Sequence, residues 1–202
     1  MDLEKTGLKK IIRLAKDGQA AAQFELGRRY VNGVGIRRNK RKGLKWLKKA
    51  AEQGDPGYQL SLGLLYWWND GKYGSFAEGT PWVRAAAEGG HAEAQYLLAG
   101  EYGMGENVEY NPVEAARFYR MAAKSGYAEA EYSLGQMYLD GEGVPKDLQE
   151  GKRLLESAAK GGDEVAQYFL MEAYRVPYNK WFSKDEKKSA YWESILNKKK
   201  KK

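Results

Sequence analysis

AEAEYSLGQMYLDGEGV (128–144) is the stretch whose reading decides the fold. Leu134 and Tyr138 stand four residues apart, the spacing of one stripe of a helix with about 3.6 residues per turn. Gly141 and Gly143 then supply the positive φ that a helix end and a tight turn require. The same phrase occurs twice more in closely similar form, as AAAQFELGRRYVNGVGI (20–36) and AEAQYLLAGEYGMGENV (92–108). A helix-and-turn that recurs is a repeat, and its period fixes everything around it.

Working outward, Gly18, Gly54, Gly90, Gly126 and Gly162 lie 36 apart with no insertion. Leu26, Leu62, Leu98, Leu134 and Leu170 keep the same spacing, as do Tyr30, Tyr66, Tyr102, Tyr138 and Tyr174. Later in each unit come Trp46, Trp82, Phe118 and Leu154, then the alanine pairs 50–51, 86–87, 122–123 and 158–159. Each unit therefore holds two helices. The first carries the stripe Ala22, Leu26, Tyr30, with a small residue at Gly27, Gly63, Ala99 and Gly135 where a neighbour approaches closely. The second carries the ring and the Ala-Ala pair, as in GLKWLKKAAEQG (43–54) and GKRLLESAAKGG (151–162).

The register runs past both ends. Residues 3–17 match a lone second helix, a cap, and KSAYWESIL (188–196) restores a second-helix pattern about two residues out of step. The expected fold is all-α: an α-solenoid of antiparallel helix pairs with about eleven helices over residues 1–197. The repeats fall at about 18–53, 54–89, 90–125, 126–161 and 162–197, followed by a basic tail, 198–202.

The pattern A-x-A-Q-[YF]-x-L-G-x-x-Y, then G-x-G-V, then W-x-x-x-A-A-x-x-G resembles that of Sel-1-like repeats. The period of 36 and the paired glycines separate it from the shorter tetratricopeptide repeat, a relative of similar shape. The resemblance implies a protein-interaction scaffold or adaptor. One branch of that family is rich in disulfides, and this chain, with no cysteine, departs from it.

Composition narrows the chemistry. Without cysteine there is no disulfide, thiolate metal site or thiol nucleophile, which fits a reducing, cytoplasmic setting. No apolar run approaches the ~20 residues of a membrane span, and the first residues lack the apolar core of a secretory signal. The only histidine, His91, falls where a first helix begins and reads as an exposed or capping residue. One histidine supports neither a His-based metal cluster nor a Cys–His pair. The glycine turns lack the G-x-x-x-x-G-K-[ST] of a phosphate loop. Carboxylates are read as solvated helix faces, so no catalytic, cofactor or metal residue is expected, and a carboxylate-based hydrolase is a remote third reading.

Charge is segregated. Residues 1–50 hold 15 Lys and Arg against 4 Asp and Glu, residues 180–202 hold 9 against 3, and the stretch between is acidic. IRRNKRKGLKWLKK (36–49) is the densest basic cluster. It reads first as a solvated turn and outer helix face. As a site it would serve the alternative function, binding nucleic acid or an anionic membrane.

Binding surfaces are the stronger candidates. Positions 21, 24, 28, 31 and 32 lie opposite Leu26 on the helical wheel and are expected on a concave face. Their equivalents include Phe24, Leu60, Tyr96, Tyr132 and Tyr168, which either ladder across a groove or pack between successive first helices. Arg28, Leu64, Gln136 and Glu172 vary between units and are candidates for partner-specific contacts. The second repeat departs from its siblings in YWWNDGKYGSFAEGTPW (66–82). Thr80 and Pro81 read as N-cap and first helical residue, giving a late, short second helix after a loop over 69–79. Tyr66 and Trp82 are core positions, whereas Trp67, Trp68, Tyr73 and Phe76 have no reason in the repeat to be aromatic. They serve either as partner anchors or to bury the loop on itself, and anchoring is the reading taken. The expected function is a scaffold binding another protein, of which an immunity or antitoxin protein against a cognate toxin is a narrower form.

Overall fold

The computed structural model describes residues 7–68, 75–176 and 181–199, and among them every regular element is an α-helix. They group into two compact units, residues 1–94 and 95–202.

The first unit opens with α1 (Leu8–Lys16), which starts after an extended Gly7; residues 3–6 of the expected cap lie outside the described residues. First helices α2 (Ala20–Asn32) and α4 (Pro56–Trp67) pack on second helices α3 (Lys40–Ala51) and α5 (Phe76–Glu88). Ile11, Leu14, Ala22 and Leu26 form one core cluster, and Leu47, Ala51 and Leu62 another. The second unit takes up α6 (Ala92–Met104) from Gln95 onward, and α7 (Pro112–Lys124), α8 (Ala128–Asp140), α9 (Leu148–Gly161), α10 (Glu164–Arg175) and α11 (Glu186–Lys199) follow in order. Its core runs from Ala115, Leu134 and Leu154 to Leu155, Leu170 and Trp192. All five leucines of the Leu26 column are buried. The five glycines spaced 36 apart close helices or turns at φ between 79° and 104°.

Two recurrent devices hold successive helices together. Gln23 Nε2–H donates to Ala15 O at 3.2 Å, Gln59 to Ala51 O at 3.4 Å and Gln167 to Ala159 O at 2.8 Å. This glutamine ties α2, α4 and α10 each to the last turn of the second helix before it, and in the helix that begins at Ala128 the same position holds Glu131. The paired second helix is fixed by close backbone approach. A Cβ on Gly27 would meet Leu47 Cγ at 2.6 Å, and one on Gly43 would meet Gly27 O at 2.8 Å. Gly63 with Gly79, and Gly135 with Gly151, repeat the arrangement.

The second repeat requires a correction. α5 begins at Phe76, not near Pro81, and its N-cap is Ser75, not Thr80. Ser75 Oγ accepts from the Glu78 N–H at 3.3 Å. Pro81 therefore lies inside the helix. Ser75 occupies the column of Asn39, Asn111 and Asp147, each of which caps its own second helix. The helix starts in register because its cap is in register. In the last repeat the cap is Asp185, two residues late, and this displaces α11 by the expected amount.

Candidate protein-interaction grooves

Each unit contains a groove between consecutive first helices. In the first unit it lies between α2 and α4 over α3, with a volume of about 390 Å³. In the second it lies between α6 and α8 over α7, at about 560 Å³. The seven residues lining the smaller groove correspond, 72 positions on, to residues lining the larger one. Phe24 becomes Tyr96, Arg28 becomes Gly100, Val31 becomes Gly103 and Asn32 becomes Met104. Leu47 becomes Tyr119, Leu65 becomes Met137, and Ser61 recurs as Ser133. One framework thus carries two linings. The larger volume follows from the two glycines, since a Cβ at Gly103 would meet only Ala115 Cβ, at 3.9 Å.

The rings in the larger groove are held in place. Tyr96 lies 5.8 Å from Tyr119 and 5.2 Å from Tyr127, centroid to centroid. Tyr132 accepts from Gln136 Nε2–H at 3.1 Å and packs edge-on against Phe169. Burial pushes the phenols of Tyr119 and Tyr96 above their ordinary range, and Ser133 works against this by hydrogen bonding to Tyr119. At neutral pH they are therefore uncharged rings with polar tips, suited to contact rather than proton transfer. Glu101, nine-tenths buried, also lines this groove and accepts from Asn107 Nδ2–H at 3.0 Å.

Among the site residues expected from sequence, Tyr96, Tyr132 and Gln136 come together in the larger groove, and Phe24 and Arg28 in the smaller. Phe24 stacks on Tyr58 at 4.5 Å, so column 24 packs between successive first helices as well as lining grooves. Tyr168 is exposed and Leu64 half-buried. Trp67 stacks on Phe76 at 4.3 Å, and its Nε1–H donates to Thr80 Oγ1. Those two rings thus have a packing role between α4 and α5 that the repeat pattern did not disclose. Trp68, 74% exposed, caps α4 in the column of Asn32 and Met104. Tyr73 and residues 69–74 lie outside the described residues. Sequence reasoning passed over Gly100, Glu101, Gly103, Met104 and Tyr119. Their signal was departure from the register, for Glu101 is the lone acid in the column Arg29, Leu65, Met137, Ala173.

Among the described residues no three metal-ligating side chains converge, and no helix is long and apolar enough to cross a membrane. The Sel1 repeat model matches residues 20–55, 92–127 and 128–163, more than half of the sequence. The chain belongs to the Sel1 repeat family. Proteins built of Sel1 repeats are protein-interaction scaffolds. A Sel1 repeat protein from Oxalobacter formigenes is 31% identical and superposes with a TM-score of 0.73, covering 92% of this chain and 74% of that one. A protective antigen of uropathogenic Escherichia coli is 29% identical, with a TM-score of 0.81 over 94% of this chain and 40% of its own. An immunity protein from Pseudomonas aeruginosa shares the fold at 19% identity, with a TM-score of 0.55, over 93% of this chain and 71% of that one. These likenesses carry the helix pairs into the Sel1 solenoid class. No curated protein sequence matches the chain.

Proposed function

We propose that this chain is a non-enzymatic interaction module that receives a segment of another protein in the grooves between successive first helices. The observation that carries the reading is the recurrence of seven lining positions at a spacing of 72, with the residue changed at all but one of them. A scaffold that keeps its frame and varies its lining suits recognition, whose specificity lives in grafted side chains. Tyr and Met in the larger groove suit it further, since Tyr gives rigid contact area at modest entropic cost and Met adapts its shape to an occupant. Trp68 extends the surface at a register position that lines a groove in other repeats. Exposed Tyr168, with Arg28 and Leu64, would add contacts. A narrower form is an immunity protein that holds a cognate toxin, and the Pseudomonas likeness supports that at the level of fold only. A cytoplasmic workplace accords with the absence of cysteine.

The test is affinity capture from the source cell with the wild-type chain and with Trp68→Ala and Met104→Ala. Both side chains are mostly exposed, so melting should not change. A specific captured protein should be lost from at least one variant. Capture indifferent to both, but collapsing steeply with salt, would instead assign function to the exposed Arg and Lys of the turn before α3 and of α3 itself.

A further inference from the structure

Resting on that reading, we infer that the larger groove takes a partner segment presenting one arginine or lysine, whose charged head meets Glu101 while its stem lies against Tyr96, Tyr119 and Tyr132.

The argument begins with a charge reversal between equivalent positions. In the first repeat the groove carries its own cation. Arg28 lies 3.7 Å from Glu25, and the neighbouring Arg29 donates to the same carboxylate at 2.7 Å. That charge is satisfied within α2. In the third repeat the cation is deleted to Gly100, the position of Glu25 becomes Leu97, and a carboxylate stands at Glu101 where Arg29 stood. Among the described residues lining the larger groove there is no lysine or arginine, whereas Glu142 adds a second carboxylate at its edge. Asn107 gives Glu101 a neutral amide and no compensating charge.

A carboxylate nine-tenths buried beside tyrosine rings is costly to desolvate unless an ion or several donors meet it. An incoming guanidinium or ammonium supplies both, through a short charge-assisted hydrogen bond. The space fits the rest of such a side chain. Gly100 and Gly103 open the groove to about 560 Å³. Tyrosine faces favour cations and apolar stems alike, and Met104 and Met137 adapt to flanking residues. Arginine is the better fit, since its plane stacks on rings while its donors reach the carboxylate.

The experiment selects peptides from a displayed random twelve-residue library on the intact wild-type chain, then titrates the synthesised consensus peptide calorimetrically. The expected consensus holds Arg or Lys at one fixed position beside apolar residues. Glu101→Gln keeps the acceptor for Asn107 and should weaken binding roughly tenfold or more. Gly100→Arg should weaken it similarly by restoring the built-in cation of the first repeat. A Cβ there makes only ordinary contacts, and an unchanged melting temperature of the variant checks that the fold is retained. Gly103→Val narrows the groove as Val31 does and should weaken any occupant. Peptides that lose affinity with Gly103→Val but ignore Glu101→Gln overturn this inference and leave the scaffold reading standing. Peptides indifferent to all three variants overturn both. Self-association of the free chain that Glu101→Gln abolishes gives the groove to a second copy and also overturns the inference.

Discussion

Gly63 and Gly100 are both helical glycines in first helices, yet replacing them with alanine should have opposite effects. A Cβ on Gly63 would sit 2.6 Å from Val83 Cγ2 and 3.1 Å from Gly79 O, so α4 and α5 must separate. Overpacking of this kind costs about 1–3 kcal/mol. A Cβ on Gly100 would meet nothing closer than Tyr119 Oη at 3.7 Å. There the gain in helix propensity dominates, and Gly100→Ala should stabilise by roughly 0.5–1 kcal/mol. Urea denaturation of the two variants checks both signs. The contrast also explains what could be read at this scale. Gly63 keeps a column of small residues and marks packing, whereas Gly100 stands in a column that differs in every unit and marks open space.

At the scale of the helix, α5 is where sequence reasoning and structure part. Pro81 after Thr80 looks like a helix start, and the neighbouring glycines strengthened that impression. The cap column Asn39, Ser75, Asn111, Asp147 was equally visible and correct, because a side chain that accepts the first free N–H groups fixes where a helix begins. Pro81 cannot donate to the Ala77 carbonyl. The helix tolerates this with Thr80 Oγ1–H donating to Phe76 O at 2.8 Å and the Trp67–Phe76 stack closing over that turn. Pro81→Ala should therefore stabilise by about 1–2 kcal/mol, after allowing for proline's restraint on the unfolded chain. Ser75→Ala should cost about 1 kcal/mol. Thermal melts of both would expose an inverted order, which a helix starting near Pro81 would give. The ladder of rings at column 24 carried the other lesson. Recurrence through the repeats signals packing, as the Phe24–Tyr58 stack illustrates, and the groove's distinctive residues are the ones that do not recur.

Across the molecule, the period of 36 made the all-α helix pairs legible at once, since a stripe that returns in every unit has only its neighbours to bury against. Groove chemistry was less legible because it depends on which side chain is missing, as at Gly100 and Gly103. One molecule-wide consequence concerns alkali. Burial raises the phenols of Tyr66, Tyr96, Tyr119 and Tyr174 above 10.0 in the folded chain. Because the unfolded chain releases those protons first, their contribution is fully present below pH 10 and is lost as pH rises beyond it. Denaturation midpoints followed with tyrosinate absorbance should stay level up to that point and fall above it. A decline beginning near neutrality would contradict the sign.

The most direct test of the central claim is a hydrogen-exchange footprint of the intact chain with and without its captured partner. The account predicts new protection on α6 and α8, around residues 96–104 and 132–142, with α3 unchanged. Protection on the basic stretch 36–49, with α6 and α8 exchanging as in the free chain, would contradict it.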